Sequence, residues 1–147
     1  LADIGYLLVT HYHPDHAGLA QEVKAQGVKL IVLESQVQAI PILKTHMKPI
    51  NPYIDIRLDD NQNLTFEASR KFLRGLGLDG EILSTPGHSD DSVTLILDAG
   101  LAFTGDLIGP EHVTDAGRPQ AELSWAKLHA HHIKTIYPGH GPFRPLA

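Results

Sequence analysis

The chain carries Thr10-His11-Tyr12-His13-Pro14-Asp15-His16 directly after a short apolar run, Ile4 to Val9. A continuous apolar run of this length predicts a buried strand, so the histidines are expected at a strand end. In an extended segment alternate side chains point the same way, so His11 and His13 can converge on one ion while Asp15 and His16 turn toward a second. Imidazole and carboxylate hold zinc, iron or manganese without sulfur. The segment therefore predicts a metal site.

Three further residues have the same placement along the chain. His88, Asp106 and His140 each follow a predicted strand and each lie beside a glycine, which lets the backbone bend close to an ion. The strands before them are Glu81 to Ser84, Leu101 to Thr104 and Ile133 to Tyr137. Because rigid strands aim their loops into one crevice, we expect all seven side chains to form one site. Two divalent ions, offset by the proposed ligands Asp15 and Asp106 and by a bound hydroxide, would keep a small positive charge for an anionic intermediate.

The bulk composition limits the function classes. A length of 147 residues with 42% hydrophobic content predicts one globular domain, residues 1–147. Cysteine is absent, so any metal must be held by nitrogen and oxygen. The net charge of −5 and the lack of a Lys/Arg cluster argue against a nucleic-acid partner and favour a small-molecule substrate. There is no apolar run of membrane-spanning length and no signal-peptide pattern, so we expect a soluble, cytoplasmic protein without a membrane partner.

The rest of the chain predicts alternating strands and helices. Two further strands are expected at Lys29 to Leu33 and Ser92 to Leu97, the latter pairing antiparallel with Leu101 to Thr104. A hairpin is expected from Tyr53 to Leu58 and Leu64 to Phe66. Helices are expected at Ala17 to Gln26, at Ser35 to Leu43 and after Pro119, the last with Ala121, Trp125, Leu128 and His132 on one face.

The four motifs, in this order, resemble those of the metallo-β-lactamase-like hydrolase superfamily. They are the segment Thr10 to His16, Thr85-Pro86-Gly87-His88-Ser89, Phe103-Thr104-Gly105-Asp106 and Pro138-Gly139-His140-Gly141. The resemblance implies an α/β fold, an αββα sandwich. It also implies that His11, His13 and His88 bind a first metal, that Asp15, His16 and His140 bind a second, and that Asp106 bridges both. A bridging aspartate resembles the glyoxalase II-like and lactonase-like branches, so antibiotic hydrolysis is not expected.

The chain departs from the family at both ends. Members usually have additional strands before the first histidine motif, whereas only Leu1 to Val9 precede it here, so we expect the sandwich to be N-terminally incomplete. An incomplete sheet exposes apolar surface and an unpaired edge. Three explanations are open: a fragment or trimmed chain, which we rank first, strand exchange within a homodimer, or edges covered by dimerisation. The basic C-terminal residues of glyoxalase II are not recognisable, which makes a thioester a less expected substrate.

The function implied is hydrolysis of a small ester, thioester, lactone or phosphoester by a metal-bound hydroxide. Two divalent ions would act together, Zn²⁺ first, with Fe or Mn as alternatives, and the catalytic residues would be Asp15 and Asp106. Asp15, besides ligating, would orient the nucleophile or handle a proton. The second-site ligand set is complete, which favours hydrolysis over two alternatives: a one-iron oxidoreductase resembling persulfide dioxygenases, and a metal-binding but inactive truncated domain. The acidic charge balance disfavours a nuclease.

Other polar residues receive smaller roles or none. Oxygen acceptors for the second N–H of the ligating histidines are expected among Thr85, Ser89, Asp90 and Thr104. Residues Gly87, Gly105, Gly139 and Gly141 serve equally as turn formers. The remaining histidines are interpreted as surface residues: His46, His112, His129, His131 and His132.

Overall fold

The computed structural model describes residues 3–50, 52–109 and 112–146. The chain forms two compact units, Leu1–Thr65 and Phe66–Ala147, each with its own sheet and helices. Within the described ranges, no helix is both long enough and apolar enough to cross a membrane.

The first unit contains a three-stranded parallel sheet in the order β1-β2-β3. Its strands are β1 (Tyr6–Leu8), β2 (Lys29–Leu33) and β3 (Gln62–Leu64). Its helices are α1 (Pro14–Ala17), α2 (Ala20–Lys24) and α3 (Leu43–His46), and a 3₁₀ turn at Ile40–Ile42 precedes α3. The prediction of β2 is confirmed at both ends, because its apolar run is buried from Leu30 onward.

A buried glutamine joins the ends of β1 and β2. Gln36 is 0% exposed; its side-chain amide donates to the Val9 carbonyl (2.9 Å), and its oxygen accepts from the Leu33 N–H (3.3 Å). A buried amide that makes both bonds avoids the cost of desolvation without a partner. Gln36 thereby fixes the backbone immediately before Thr10.

The second unit contains a five-stranded sheet in the order β4-β5-β6-β7-β8, antiparallel except for the parallel pair β6–β7. The strands are β4 (Gly80–Ser84), β5 (Val93–Leu97), β6 (Leu101–Gly105), β7 (Thr135–Pro138) and β8 (Arg144–Pro145). Two helices accompany them, α4 (Phe66–Gly75) and α5 (Arg118–Ala130). The strands predicted before His88, Asp106 and His140 are confirmed.

Helix α5 covers one face of this sheet. Trp125 and Leu128 lie in one cluster with Ile96, Ala102 and Ile136, which project from neighbouring strands on the same side. The predicted apolar face of the helix is therefore confirmed for the two largest residues. It is wrong for His132, which lies beyond the helix end, is exposed and has φ of +54°.

Helix α4 lies against the edge strand β4. The Ser69 hydroxyl accepts from the Ile82 N–H (3.0 Å) and donates to the Phe66 carbonyl (2.6 Å). The Arg70 guanidinium donates to Glu81 (2.7 Å) and Asp98 (2.8 Å). The bond to Ser69 satisfies a backbone N–H on an edge strand, where unpaired backbone groups would otherwise invite pairing with another chain.

Several local expectations are wrong. Residues 52–58 form no strand and β3 pairs with β2 in parallel, so the expected hairpin does not form. Lys24 instead fixes this segment by donating to the carbonyls of Arg57 and Asp59 and to the Asn61 side chain. The helix expected at Ser35 to Leu43 is a series of turns, and α3 begins only at Leu43, after Pro41.

Candidate metal centre

In the first unit the histidine segment turns from strand to helix within four residues. His13 is extended (ψ 157°), and its carbonyl accepts from the N–H groups of His16 (3.1 Å) and Ala17 (2.8 Å). Pro14 is the first residue of α1, a position that proline favours because its missing N–H is not needed there. Asp15 and His16 consequently lie in the first turn of a helix, directly after the extended His13.

Three imidazole rings meet at this turn. The ring centroids of His11 and His13 lie 4.6 Å apart and those of His11 and His16 lie 4.2 Å apart. His11 and His13 each offer a nitrogen, and these two nitrogens lie within 4.8 Å of each other. The Asp15 carboxylate lies 3.5 Å from Nε2 of His16. The structure therefore brings together the four residues that the sequence singled out in this segment.

A hydroxyl that sequence reasoning missed contacts the most buried of these rings. The Thr10 Oγ1 lies 3.3 Å from Nδ1 of His11, whose exposure is 1%. A hydrogen bond to one imidazole nitrogen fixes the ring orientation and leaves the other nitrogen, Nε2, to bind an ion. A threonine directly before the first histidine was the available signal.

In the second unit the paired ends of β6 and β7 bring Asp106 and His140 together. Gly105 pairs with Pro138, and the Gly139 N–H donates to the Gly105 carbonyl (2.7 Å). Gly105 has φ of +55°, a left-handed conformation that glycine adopts without strain, and it turns the chain out of β6 immediately before Asp106. The Asp106 Oδ2 lies 3.5 Å from Nε2 of His140 and 3.8 Å from Nε2 of His88. One carboxylate thus lies between two imidazoles.

The loop that carries His88 is closed by hydrogen bonds. The Thr85 N–H donates to the Ser92 carbonyl (2.9 Å), and the Ser92 N–H donates to the Ser89 carbonyl (3.3 Å). The side-chain oxygens of Thr85 and Thr94, and of Ser89 and Ser92, lie 2.8 Å apart in each pair. Thr104 contacts the Gly105 carbonyl (3.4 Å). Direct bonds from Thr85, Ser89, Asp90 or Thr104 to the histidines remain predictions.

His88, Asp106 and His140 line a pocket of about 310 Å³ in the second unit. Leu107, Ile108 and Pro138 contribute apolar surface to it, and His112 lines it as well. No role was predicted for His112, nor for His46, whose ring lies 6.3 Å from that of His13. A single histidine in a loop or at a helix end gives the same signal whether it faces a site or solvent.

The donor sets in both units fit divalent transition metals. Each unit presents imidazole nitrogens together with a carboxylate oxygen, and the chain has no cysteine that would compete for the ion. These are the ligands of catalytic zinc sites and of non-haem iron and manganese sites. The described residues can therefore supply metal ligands from both units.

A sequence model of the metallo-beta-lactamase superfamily matches residues 1–140. The chain belongs to this superfamily. Metallo-beta-lactamase superfamily members are generally metal-dependent hydrolases. A curated relative, the Beta-lactamase-like protein 2 homolog of Drosophila melanogaster, is 30% identical over 146 residues. The match covers 95% of this chain but 46% of that protein, so the chain spans less than half the length of this relative.

Several solved structures share the fold of this chain. The B3 metallo-beta-lactamase BLEG-1 matches with a TM-score of 0.72 at 21% identity, over 96% of this chain and 71% of that one. The mono-zinc form of the metallo-beta-lactamase FIM-1 from Pseudomonas aeruginosa matches with a TM-score of 0.61 at 23% identity, over 95% and 60%. TTHA1623 in a di-iron-bound form matches with a TM-score of 0.56 at 22% identity, over 94% and 70%. The predicted metallo-β-lactamase-like α/β fold is confirmed.

Proposed function

We propose that this chain is a metal-dependent hydrolase that uses two divalent cations to cleave a small ester, thioester, lactone or phosphoester. The observation that carries the proposal is the position of Asp106 in the second unit. Its carboxylate lies 3.5 Å and 3.8 Å from two imidazole nitrogens and lines a pocket with apolar walls. A carboxylate between two imidazoles would be able to serve as a shared ligand in a site for two ions.

The proposed ligands come from both units. His11, His13 and His88 would hold a first ion, Asp15, His16 and His140 a second, and Asp106 would serve both. This assignment combines the superfamily resemblance with the side-chain distances inside each unit. Nitrogen and oxygen donors suit Zn²⁺, and Fe or Mn as alternatives. One solved relative of this fold holds a single zinc and another holds two irons, so both metals are tested below.

Different residues of the chain would have different roles around the ions. When bound, the two cations would lower the pKa of a water and polarise the substrate oxygen. The Asp15 carboxylate, 57% exposed, would orient that water and accept its proton. Leu107 and Ile108 would hold the apolar part of the substrate, and the His112 ring would donate a hydrogen bond to a substrate oxygen. A pocket of about 310 Å³ accommodates a small substrate.

The decisive experiment measures metal content and reaction class on the same samples. Purified protein is stripped of metal, reconstituted separately with Zn²⁺, Mn²⁺ or Fe²⁺, and analysed for bound metal. Each form is then assayed against aryl esters, a thioester, a lactone and a phosphodiester. A small persulfide is tested in parallel in an oxygen electrode. We expect two ions per chain and hydrolysis of at least one substrate class without oxygen consumption.

Two other results would replace the proposal. One iron per chain, with oxygen consumed on persulfide and no hydrolysis, would identify an oxidoreductase. Two ions per chain with no turnover of any substrate would identify a metal-binding but inactive domain.

A further inference from the structure

We propose that helix α5 sets the spacing between His88 and Asp106, and that Ser124 is the positioning residue for His88. The inference rests on the proposed function, because it gives His88 the role of a metal ligand. It concerns contacts inside the second unit.

Ser124 lies in the middle of α5 and is 1% exposed. Its hydroxyl donates to the Pro86 carbonyl at 2.6 Å. Pro86 lies two residues before His88, and its ring fixes φ, so restraining its carbonyl restricts the direction in which the chain continues. One buried hydrogen bond therefore links the helix to the start of the His88 loop.

The next residue packs directly on the helix. A Cβ placed on Gly87 would lie 2.9 Å from Cα of Ala121, closer than real Cβ atoms approach, and 3.1 Å from its Cβ, which is also a tight contact. Gly87 also has φ of +143°, a conformation that other residues rarely adopt. Ala121, Ser124 and Lys127 follow one another at intervals of three, so they share one face of α5. Lys127 completes the contact by donating to the Ser84 carbonyl (2.6 Å).

The same helix also holds the segment after Asp106. The Trp125 indole N–H donates to the Ile108 carbonyl at 3.0 Å, and the Trp125 ring lies in the core beneath the sheet. Ser124 and Trp125 are adjacent, and their bonds reach the two loops that carry His88 and Asp106. Since α5 contacts both loops, the 3.8 Å between His88 and Asp106 depends on the helix rather than on either loop alone. Interactions that orient a metal ligand typically change metal affinity by about 10–100-fold when lost.

The test compares Ser124→Ala with Ser69→Ala. Ser69 is a matched control because it is also buried on a helix of the second unit and donates to a carbonyl at 2.6 Å, but it contacts Phe66 and Ile82 rather than the His88 loop. Metal-free protein is titrated with Zn²⁺ against a chromophoric chelator. Hydrogen exchange of the segment 85–89 is measured without metal. Both variants are also melted without metal, to compare their losses of stability.

We expect Ser124→Ala to weaken one of two Zn²⁺ affinities about tenfold or more and to speed exchange at residues 85–89. Ser69→Ala should lower the melting temperature but leave both affinities and that exchange unchanged. Equal Zn²⁺ affinities in the two variants, with equal exchange at 85–89, would overturn the inference. If the wild type binds two Zn²⁺ but hydrolyses nothing, the proposed function fails while the positioning role is still decided by the titration. If the wild type binds no Zn²⁺, the proposal that His88 is a metal ligand fails, and the exchange rates at residues 85–89 alone decide whether Ser124 positions the His88 loop.

Discussion

The carboxylate of Asp106 is largely shielded, with 17% side-chain exposure, and lies within 4 Å of two imidazole nitrogens. Replacing it by alanine removes the one group proposed to contact both ions. We expect Asp106→Ala to bind at most one ion per chain and to lose hydrolysis by at least about 100-fold. Elemental analysis and steady-state rates on the same preparation measure both effects.

Asp115→Ala is the control for this variant, because the Asp115 side chain is fully exposed and pairs only weakly with Arg118, at 3.6 Å. It should keep both ions and full activity. If Asp106→Ala retained two ions and normal turnover, Asp106 would not bridge them.

His112 shares a pocket with the proposed ligands without belonging to their set. We expect His112→Ala to raise KM several-fold with unchanged metal content, since a substrate contact is lost but no ligand is removed. His129→Ala, an exposed change on α5, should alter neither quantity. Loss of a metal ion in His112→Ala would make His112 a ligand instead.

The seven ligands could be proposed from the sequence because each lies beside a glycine or a second proposed ligand, directly after an apolar run. That pattern indicates both the type of ligand and its place at the end of a strand. Thr10 and Ser124 are different, because their importance lies in a bond to one atom: Nδ1 of His11 and the Pro86 carbonyl. Hydroxyl residues occur throughout the chain, and only the folded structure shows which of them reaches a particular acceptor.

At the scale of elements, Arg70 connects α4 to β4 through Glu81 and to the turn after β5 through Asp98. The hydrogen bond from Arg70 holds the pKa of Asp98 below its ordinary value. The folded chain therefore binds this proton less tightly than the unfolded chain, and ionised Asp98 stabilises the fold. That contribution is present above the ordinary aspartate pKa of about 4 and is lost as the pH falls through the lowered folded value.

We accordingly expect Arg70→Gln to lower the melting temperature at pH 7 by a few degrees, and the difference from wild type to shrink below about pH 4. Thermal melts from pH 7 to pH 2.5 measure this. Arg74→Gln is the matched control, because its pair with Asp79 is longer, at 3.8 Å, and more exposed. A difference that stayed constant with pH would mean that Arg70 acts by packing its apolar stem.

The elements that were predicted correctly are those whose buried residues form a continuous apolar run in the sequence. β2 is a continuous apolar run, and the turn at 98–100 joins two apolar strands, so both were recognisable. α4 was missed because the expected hairpin placed Leu64 to Phe66 in a strand, although the apolar and polar residues of the helix separate onto opposite faces. The pairing of β3 with β2 joins residues far apart in sequence, such as Ile31 and Gln62, which no local pattern connects.

At the scale of the whole molecule, the sequence predicts one domain, whereas the structure describes two compact units, each with its own sheet. The proposed ligands divide between them, four on the first unit and three on the second. If the proposed ligand set is right, metal binding would therefore couple the unfolding of one unit to that of the other. The prediction of a single domain becomes a question of whether the units unfold together.

We expect the metal-free protein to melt at a lower temperature and over a broader range than the protein with Zn²⁺, which should unfold in one sharp transition. An ion that binds only the folded state stabilises it by about 2.7 kcal/mol per site at a free concentration 100 times its Kd. Calorimetry with and without a chelator measures this, and Asp106→Ala is the control, because its response to Zn²⁺ should be smaller. Identical sharp transitions with and without Zn²⁺ would mean that the two units unfold together without the ions, and that the ions contribute to chemistry but not to the stability of the fold.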